Sequence, residues 1–354
     1  MLVVHMDSGL GNQMLDYAEF LAIKQSNPEE KCYLENYIYD IAGQKDMTSQ
    51  WNGYELKKIF GLDVPNISDL LGTEKSDRVR NKFKESEFWN KGWNYAPVIV
   101  EALQDEGIVL NNYGKKAEVN MAKSTTIKGK LRYGLTRFFT TGFGYHIKRI
   151  LRKLFEKSVI KKYYDTHYDI YRKYPTDSYV GHSLNFKYKG FDISKVDTQL
   201  REHFKFPEFS ENDTQNKQIL EFIRNEESVA IHARRDDLLS VNGHCYEHGF
   251  FKRSVKYIKK HVSNPVFIFF TDEKSIGWCE ENARIFGLDF SKDNVSFVTW
   301  NKGQDSYKDM YLMSQCKHNI FTESSFGFWG AYLNNNPNKI TCAPDVKIIA
   351  TNCF

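Results

Sequence analysis

What this sequence lacks narrows it first. No apolar run approaches the roughly 18 residues needed to cross a bilayer, and the opening hydrophobic stretch Leu2-Val3-Val4 stops at His5. Neither a leader pattern nor a membrane anchor is visible, so the chain is expected to be cytoplasmic. The six cysteines, at 32, 245, 279, 316, 342 and 353, have neither metal-ligand spacing nor the density of a disulfide framework. They read as reduced thiols. A charge excess of one sign is missing too: 49 basic against 45 acidic residues leave +4, too little to argue for nucleic acid. Nothing in the composition suggests disorder or a fibrous repeat, and 354 residues at 41% hydrophobic can bury two cores of ordinary domain size.

What is present is concentrated in three segments. In Val229-Ala230-Ile231-His232-Ala233-Arg234-Arg235-Asp236-Asp237 an apolar run ends abruptly in histidine, two arginines and two acids. A strand ending this way puts planar, permanently charged donors at the carboxyl edge of a sheet, where open α/β folds bind ligands and where Arg grips phosphate bidentately. A strand end pairing its own charges would look the same. The second segment, Leu2 to Gln13, reads as a strand, a glycine loop (Gly9-Leu10-Gly11-Asn12) and a helix. Its glycines permit positive φ and let backbone N–H groups approach a ligand, although it is neither a full dinucleotide fingerprint nor a phosphate loop. The third runs from Asp305 to Gly330: a helix carrying Met310 and Met313, a short buried strand His318 to Phe321, then Glu323-Ser324-Ser325 opening another helix. Hydroxyls there serve equally as N-caps and as ligand contacts.

The second half alternates clearly: strand 228–233, helix 247–262, strand 265–270, helix 274–286, strand 295–300, helix 305–316, strand 318–321, helix 326–334 and strand 339–343. That pattern predicts a parallel, doubly wound unit, and after Ala343-Pro344 little room is left for a final crossover helix. The first third opens with a similar strand, loop and helix. The expected fold is therefore α/β with two Rossmann-like units, residues 1–215 and 216–354, divided in the polar stretch Ser210 to Asn216.

Together the three segments resemble the α-1,2-fucosyltransferases, inverting enzymes that use GDP-fucose. The resemblance rests on Gly9-Leu10-Gly11-Asn12-Gln13-Met14 with Tyr17-Ala18, on His232-x-Arg234-Arg235-x-Asp237, and on Asp309-x-x-Leu312-Met313-Ser314-x-Cys316 leading to Ser324-Ser325-Phe326-x-x-Trp329-Gly330-Ala331. Weaker landmarks are Tyr54-Glu55-Leu56 and the stretch from Gly181 to Phe206. The resemblance implies a GT-B-like pair of domains facing a central cleft, an acceptor-side domain first and a GDP-fucose domain second. It also implies transfer of L-fucose from GDP-L-fucose to a terminal galactose hydroxyl of a surface glycan.

Such chemistry needs the departing diphosphate stabilised, a base for the acceptor hydroxyl and a nucleotide pocket. No Asp-x-Asp pair stands out at a strand end, so no metal is expected, and the arginines would carry the leaving-group charge. On the resemblance, Arg234 meets the β-phosphate and Arg235 organises the site by pairing with Asp237 or another acid. His232 and Asp272 are candidates for guanine or ribose contacts, Asp272 equally for an N-cap. Ser324 and Ser325, beside Glu323, would reach the diphosphate or sugar, with Gly9, Gly11 and Asn12 opposite them. For the base the candidate is Asp237; Asp16, Glu247 and Glu323 are further carboxylates near the motifs.

Departures from the family pattern are Asp236 where Gly is usual, Glu323 where Asn is usual, and His182-Ser183-Leu184 where a Tyr-Trp-Gln type of signature is usual. Extra negative charge near a dianionic leaving group leaves open another GDP-sugar or linkage, and a non-catalytic glycan-binding protein is the reading of a different class. Finally, residues 128–162 hold eleven Lys or Arg and one acid, Glu156, within a helical insertion at about 115–175. Ile147, Ile150, Leu151 and Leu154 share a helical face opposite Arg149, Arg152 and Lys153. Either that apolar face docks on the N-terminal domain or residues 147–157 lie on an anionic membrane.

Overall fold

A computed structural model describes residues 1–41, 51–91, 94–114, 127–155, 173–181, 195–235, 239–344 and 351–353. Asp236, Asp237, His182-Ser183-Leu184 and residues 156–172 lie outside these. The chain forms two compact units: Met1–Tyr133 with Tyr168–Phe186 and Phe191–Lys205, and Gly134–His167 with Lys187–Gly190 and Phe206–Phe354. The structure thus draws its main division at 205/206 and groups most of the basic insertion with the second unit.

The first unit is built on a parallel sheet of order β2-β1-β4-β3, with β1 at Leu2–His5, β2 at Cys32–Glu35, β3 at Asn111–Asn112 and β4 at Ser178–Gly181. β1 is buried at every residue, as a strand covered on both faces must be. It feeds α1, Leu10–Ser26, of which thirteen residues are buried. Helices α2, Thr73–Glu85, and α3, Tyr95–Asp105, close the opposite side around Val79, Phe83, Ile99 and Leu103.

The second unit has a six-stranded, wholly parallel sheet of order β10-β9-β8-β5-β6-β7. Its strands are β5, Ser228–Ala233; β6, Val266–Thr271; β7, Asn294–Val298; β8, His318–Phe321; β9, Thr341–Ala343; and β10, Asn352–Cys353. Alternation along the strands feeds two cores. Val229, Ile231, Phe267 and Phe269 pack into one, and Ala230, Ile268 and Phe270 into the other with Leu312 and Met313. A sheet buried on both faces by its crossover helices is the doubly wound architecture expected from the alternation. The chain runs from β5 outward through β6 to β7 and returns to β8 on β5's other side, so the strand order reverses there. Ligands bind at that kind of crevice in open α/β sheets.

Three local expectations are corrected. The helix foreseen at 247–262 is present as α8, Phe250–His261, and a further helix, α7 at Leu239–Glu247, precedes it, separated by Gly249, which turns left-handed with φ 72°. The helix foreseen at 274–286 breaks into short turns at Asn282, whose side-chain amide donates to the Trp278 carbonyl at 2.8 Å. The end of the chain contributes a further strand, β10, parallel to β9.

Candidate donor-sugar site

In the second unit the candidates gather because neighbouring strands end together. In the sheet register His232 of β5 lies opposite Phe270 of β6 and Phe321 of β8. Arg234 and Arg235 follow β5, Asp272 follows β6, and Glu323 and Ser324 follow β8, all at one carboxyl edge.

His232 is 5% exposed. Burial, reinforced by the Arg234 charge, pushes its pKa down to about 3 against a weaker opposing pull from Asp272. The imidazole is therefore neutral through the physiological range. Its ring stacks on Phe326 at 5.6 Å, and Nδ1 is buried with no hydrogen-bond partner. A Cβ on Gly327 would come within 2.7 Å of that Nδ1 and 2.8 Å of the Phe321 Cβ. Gly327 is the residue that lets the helix start approach the histidine.

The two arginines have separate environments. The half-buried Arg234 lends its carbonyl to the Tyr246 hydroxyl, which donates at 3.0 Å. The guanidinium of Arg235 lies flat over Trp278 at 3.5 Å from the ring centroid, with Tyr246 at 5.6 Å. Such a desolvated cation–π stack is worth about 2 kcal/mol. Asp237, the acid named first as the partner of Arg235, lies outside the described residues, and the contacts the described residues give this guanidinium are these aromatic rings. Its backbone N–H donates to Asp272 Oδ2 at 3.1 Å, while the Ser275 hydroxyl donates to Oδ1 at 2.6 Å. Asp272 thus braces the β5 loop against its own turn, and the Thr271 hydroxyl donating to the Ala233 carbonyl at 2.7 Å ties the same two strand ends.

α10, Ser325–Tyr332, begins at this edge without a side-chain cap. Ser324 stands at the N-cap position, buried, and donates its backbone N–H to the Thr322 carbonyl at 2.7 Å. An uncapped helix start offers N–H donors and a partial positive charge to an anion. Glu323 is accompanied by Lys148 from the basic insertion. Burial, then Arg152, push the Lys148 ammonium down to about 8, and Glu323 pulls the other way. The sequence shows Lys148 only as one of the basic residues of 128–162, because spacing cannot show which loop a helix will meet. Trp278 was missed altogether, since it lies in the helix that the structure breaks.

Behind the edge, α9, Tyr307–Gln315, carries the motif residue Asp309. The Asn301 amide donates to its Oδ1 at 2.7 Å, and Asn301 and Trp300 also donate to Asn216 Oδ1 at 3.0 and 2.9 Å. Burial lifts the Asp309 carboxyl to about 7. The motif aspartate is part of a scaffold that joins the end of β7 to α6, Thr214–Asn225.

The first unit holds Gly9, Gly11 and Asn12 at its own carboxyl edge, after β1. Gly9 has φ −82° and Gly11 lies within α1, so neither uses the positive φ that glycine allows; Ser8 is the left-handed residue, at φ 64°. The strained loop is clamped at the Ser8 carbonyl by the Gln13 amide at 3.0 Å and the Tyr39 hydroxyl at 2.8 Å. Gln13 also donates to the Gly53 carbonyl at 2.8 Å and accepts from the Glu55 backbone N–H at 2.8 Å. That arrangement links two landmarks read separately in the sequence.

Beneath the loop is a buried polar cluster that sequence reasoning did not assemble. His5 Nδ1 bonds Glu35, its Nε2 lies 3.4 Å from Asp7, and the Tyr179 hydroxyl donates to Glu35 at 2.6 Å. Burial works against the charged imidazole, yet Glu35 and Asp7 outweigh it and raise its pKa to about 10. Asp16 is fully buried; desolvation, then Asp7 and Glu19, hold its carboxyl well above the usual range. A group without accessible surface cannot meet an acceptor hydroxyl, which removes Asp16 from the candidate bases. Glu247 is exposed at the end of α7, and Asp237 lies outside the described residues.

A family model described as Glycosyl transferase family 11 matches residues 133–347. An α-1,2-colitosyltransferase of Escherichia coli is 36% identical over 135 residues, 36% of this chain and 43% of that protein. The human galactoside α-(1,2)-fucosyltransferase 1 is 31% identical over 110 residues, 30% of this chain and 28% of that protein. The matched region therefore spans less than half the length of these relatives. Among solved structures, NodZ α-1,6-fucosyltransferase soaked with GDP-fucose aligns with 94% of this chain and 92% of its own at 12% identity and a TM-score of 0.44.

Proposed function

We propose that this chain, which belongs to glycosyl transferase family 11, transfers L-fucose from GDP-L-fucose to a galactose hydroxyl of a glycan, forming an α-1,2 linkage with inversion. The observation that carries the reading is the shared carboxyl edge of β8, β5 and β6. There Arg234, the uncapped start of α10 at Ser324 and Ser325, and the neutral His232 stand at adjacent strand ends, where open α/β sheets bind ligands.

In this reading Arg234 neutralises charge developing on the β-phosphate as the anomeric carbon–oxygen bond breaks, assisted by the Ser325 N–H and the hydroxyls of Ser324 and Ser325. Each charge-assisted hydrogen bond contributes roughly 1.5–3 kcal/mol. Arg235 is a positioning residue, pinned by Trp278 and, through its backbone, by Asp272. The His232 imidazole, unable to charge, turns its buried Nδ1 toward Gly327 and stacks on Phe326, so in place of the nucleoside contact expected from the sequence it holds the start of α10 beside β5. The acceptor hydroxyl attacks the opposite face of the anomeric carbon and loses its proton to Asp237. The Lys148 ammonium feels the Glu323 charge and opposes it in part. The glycine loop Gly9–Asn12 serves the acceptor side.

A second reading has one specific support: the 36% identical relative is named a colitosyltransferase, so the sugar could be another GDP-linked one. Incubating the protein with GDP-fucose, GDP-colitose, GDP-mannose and UDP-galactose, with GDP or UDP release followed with and without galactosides, separates these. Turnover with GDP-fucose is expected, with activity retained in excess EDTA because arginine rather than a held cation meets the diphosphate. Turnover of GDP-colitose alone selects the second reading. Release from UDP-galactose alone, or loss in EDTA restored by Mn²⁺, overturns the mechanism.

A further inference from the structure

One helix in the second unit is turned the wrong way for a soluble surface. α5, Gly142–Leu154, follows α4, Ile127–Thr140. At 100° per residue, Phe143, Ile147, Ile150, Leu151 and Leu154 fall within one arc of about 100°, and Tyr145, Lys148, Arg149 and Arg152 occupy the opposite arc. The basic arc faces the protein. Tyr145 is buried, its ring 4.9 Å from His248, with the Arg253 guanidinium 5.9 Å from its centroid, and Lys148 reaches the vicinity of Glu323. The apolar arc faces outward: Phe143 is 73%, Leu154 71% and Ile150 55% exposed, and Phe155 continues the patch. Phe143 also meets Phe138, at the end of α4, ring to ring at 6.4 Å. Of the twelve large hydrophobic side chains exposed among the described residues, eight lie between 131 and 155. Within its own unit it is the basic arc, through Tyr145, that packs, and not the apolar one.

We propose that the outward face of α5, with the end of α4, is a docking surface for an anionic lipid bilayer. Charge complementarity selects that occupant. Between residues 127 and 155 the sequence has no Asp or Glu, Lys130, Arg137 and Lys153 are exposed, and the last two border the apolar patch. An apolar stripe five to ten ångströms deep with basic neighbours is the arrangement of interfacial helices, and each cation close to an anionic leaflet adds to the attraction. A second copy of this chain would bring a like-charged tract against itself. Docked this way, the enzyme would work on an acceptor held at the lipid surface.

The test is co-sedimentation of the full chain with vesicles of phosphatidylcholine alone or mixed equally with phosphatidylglycerol. Binding to the mixed vesicles only, weakened at least tenfold by raising salt well above physiological strength, is expected. Ile150→Ser with Leu154→Ser should lower the partition coefficient at least tenfold, leaving the melting temperature and turnover of a soluble acceptor unchanged; Lys153→Glu should lower it several-fold. Absence of native binding, equal binding to both vesicles, or a double variant that binds like the native chain overturns the proposal. So does a melting temperature lowered by several degrees in the double variant, which would show the face buried in solution. A dimer in sedimentation velocity that the same substitutions dissociate assigns the face to a second copy and overturns it as well.

Discussion

Arg234 and Arg235 are adjacent in sequence, carry the same charge, and sit in environments that ask different things of them. Arg235 is immobilised by Trp278 and tied to Asp272, whereas Arg234, whose carbonyl accepts from the Tyr246 hydroxyl, is the arginine that the proposed function sets on the diphosphate. Arg234→Lys should keep the fold and lose on the order of 10³ in kcat, since an ammonium cannot supply the planar bidentate fork. GDP release measured beside a thermal melt checks both halves. Near-native kcat would make Arg234 a structural cation.

At the scale of the element, the approach of α10 to β5 depends on one missing side chain. Gly327→Ala would place a Cβ 2.7 Å from the His232 ring and 2.8 Å from the Phe321 Cβ, both buried, where neither neighbour is a flexible side-chain end. Overpacking of this kind costs about 1–3 kcal/mol. Urea denaturation should show the loss, and GDP affinity should fall because the helix start is displaced; unchanged stability and affinity would mean that the helix can slide without consequence. The elements themselves were largely legible. β5 and β8 have the ends expected from their apolar runs, because a central parallel strand, buried on both faces, leaves no alternation to misread. The boundaries that failed were set by single residues whose conformation is decided in three dimensions: the left-handed Gly249 that separates α7 from α8, and Asn282, whose side chain competes for a helix carbonyl.

Three histidines are buried among the described residues, and two of them, His5 in the first unit and His232 in the second, are held in opposite protonation states. His232 is held neutral by burial, with a folded pKa of about 3 below its unfolded 6.5. Its contribution is present above pH 6.5 and drains away as pH falls toward 3. His5 is held charged by Glu35 and Asp7 against the cost of burial, at about 10, so its contribution is complete below pH 6.5 and is lost as pH rises through 10. Asp16, whose carboxyl is raised by desolvation, also loses its contribution as pH rises above the usual carboxylate range. The melting temperature should peak near pH 6.5 to 7 and fall on both sides. His232→Asn should flatten the acid limb, and His5→Gln with Glu35→Gln the alkaline one, each by at least about 3 °C at its extreme. A profile whose limbs survive both sets of substitutions would place the titrating groups elsewhere.

By itself the sequence determined the fold class, the parallel second sheet, the family and the cluster His232, Arg234, Arg235, Ser324 and Ser325. Each depends on local order: apolar runs that fix strands, and motif residues that follow strand ends and so must emerge at a carboxyl edge. The tertiary structure decided which neighbours those residues have, because that depends on contacts between segments far apart in the chain. Trp278 under Arg235, Lys148 beside Glu323, Gly327 against His232 and Glu35 on His5 all join residues at least 30 positions apart. It also decided which way α5 faces. Periodicity shows that a helix has two faces, and only packing, here through Tyr145, chooses the one that stays in contact with water.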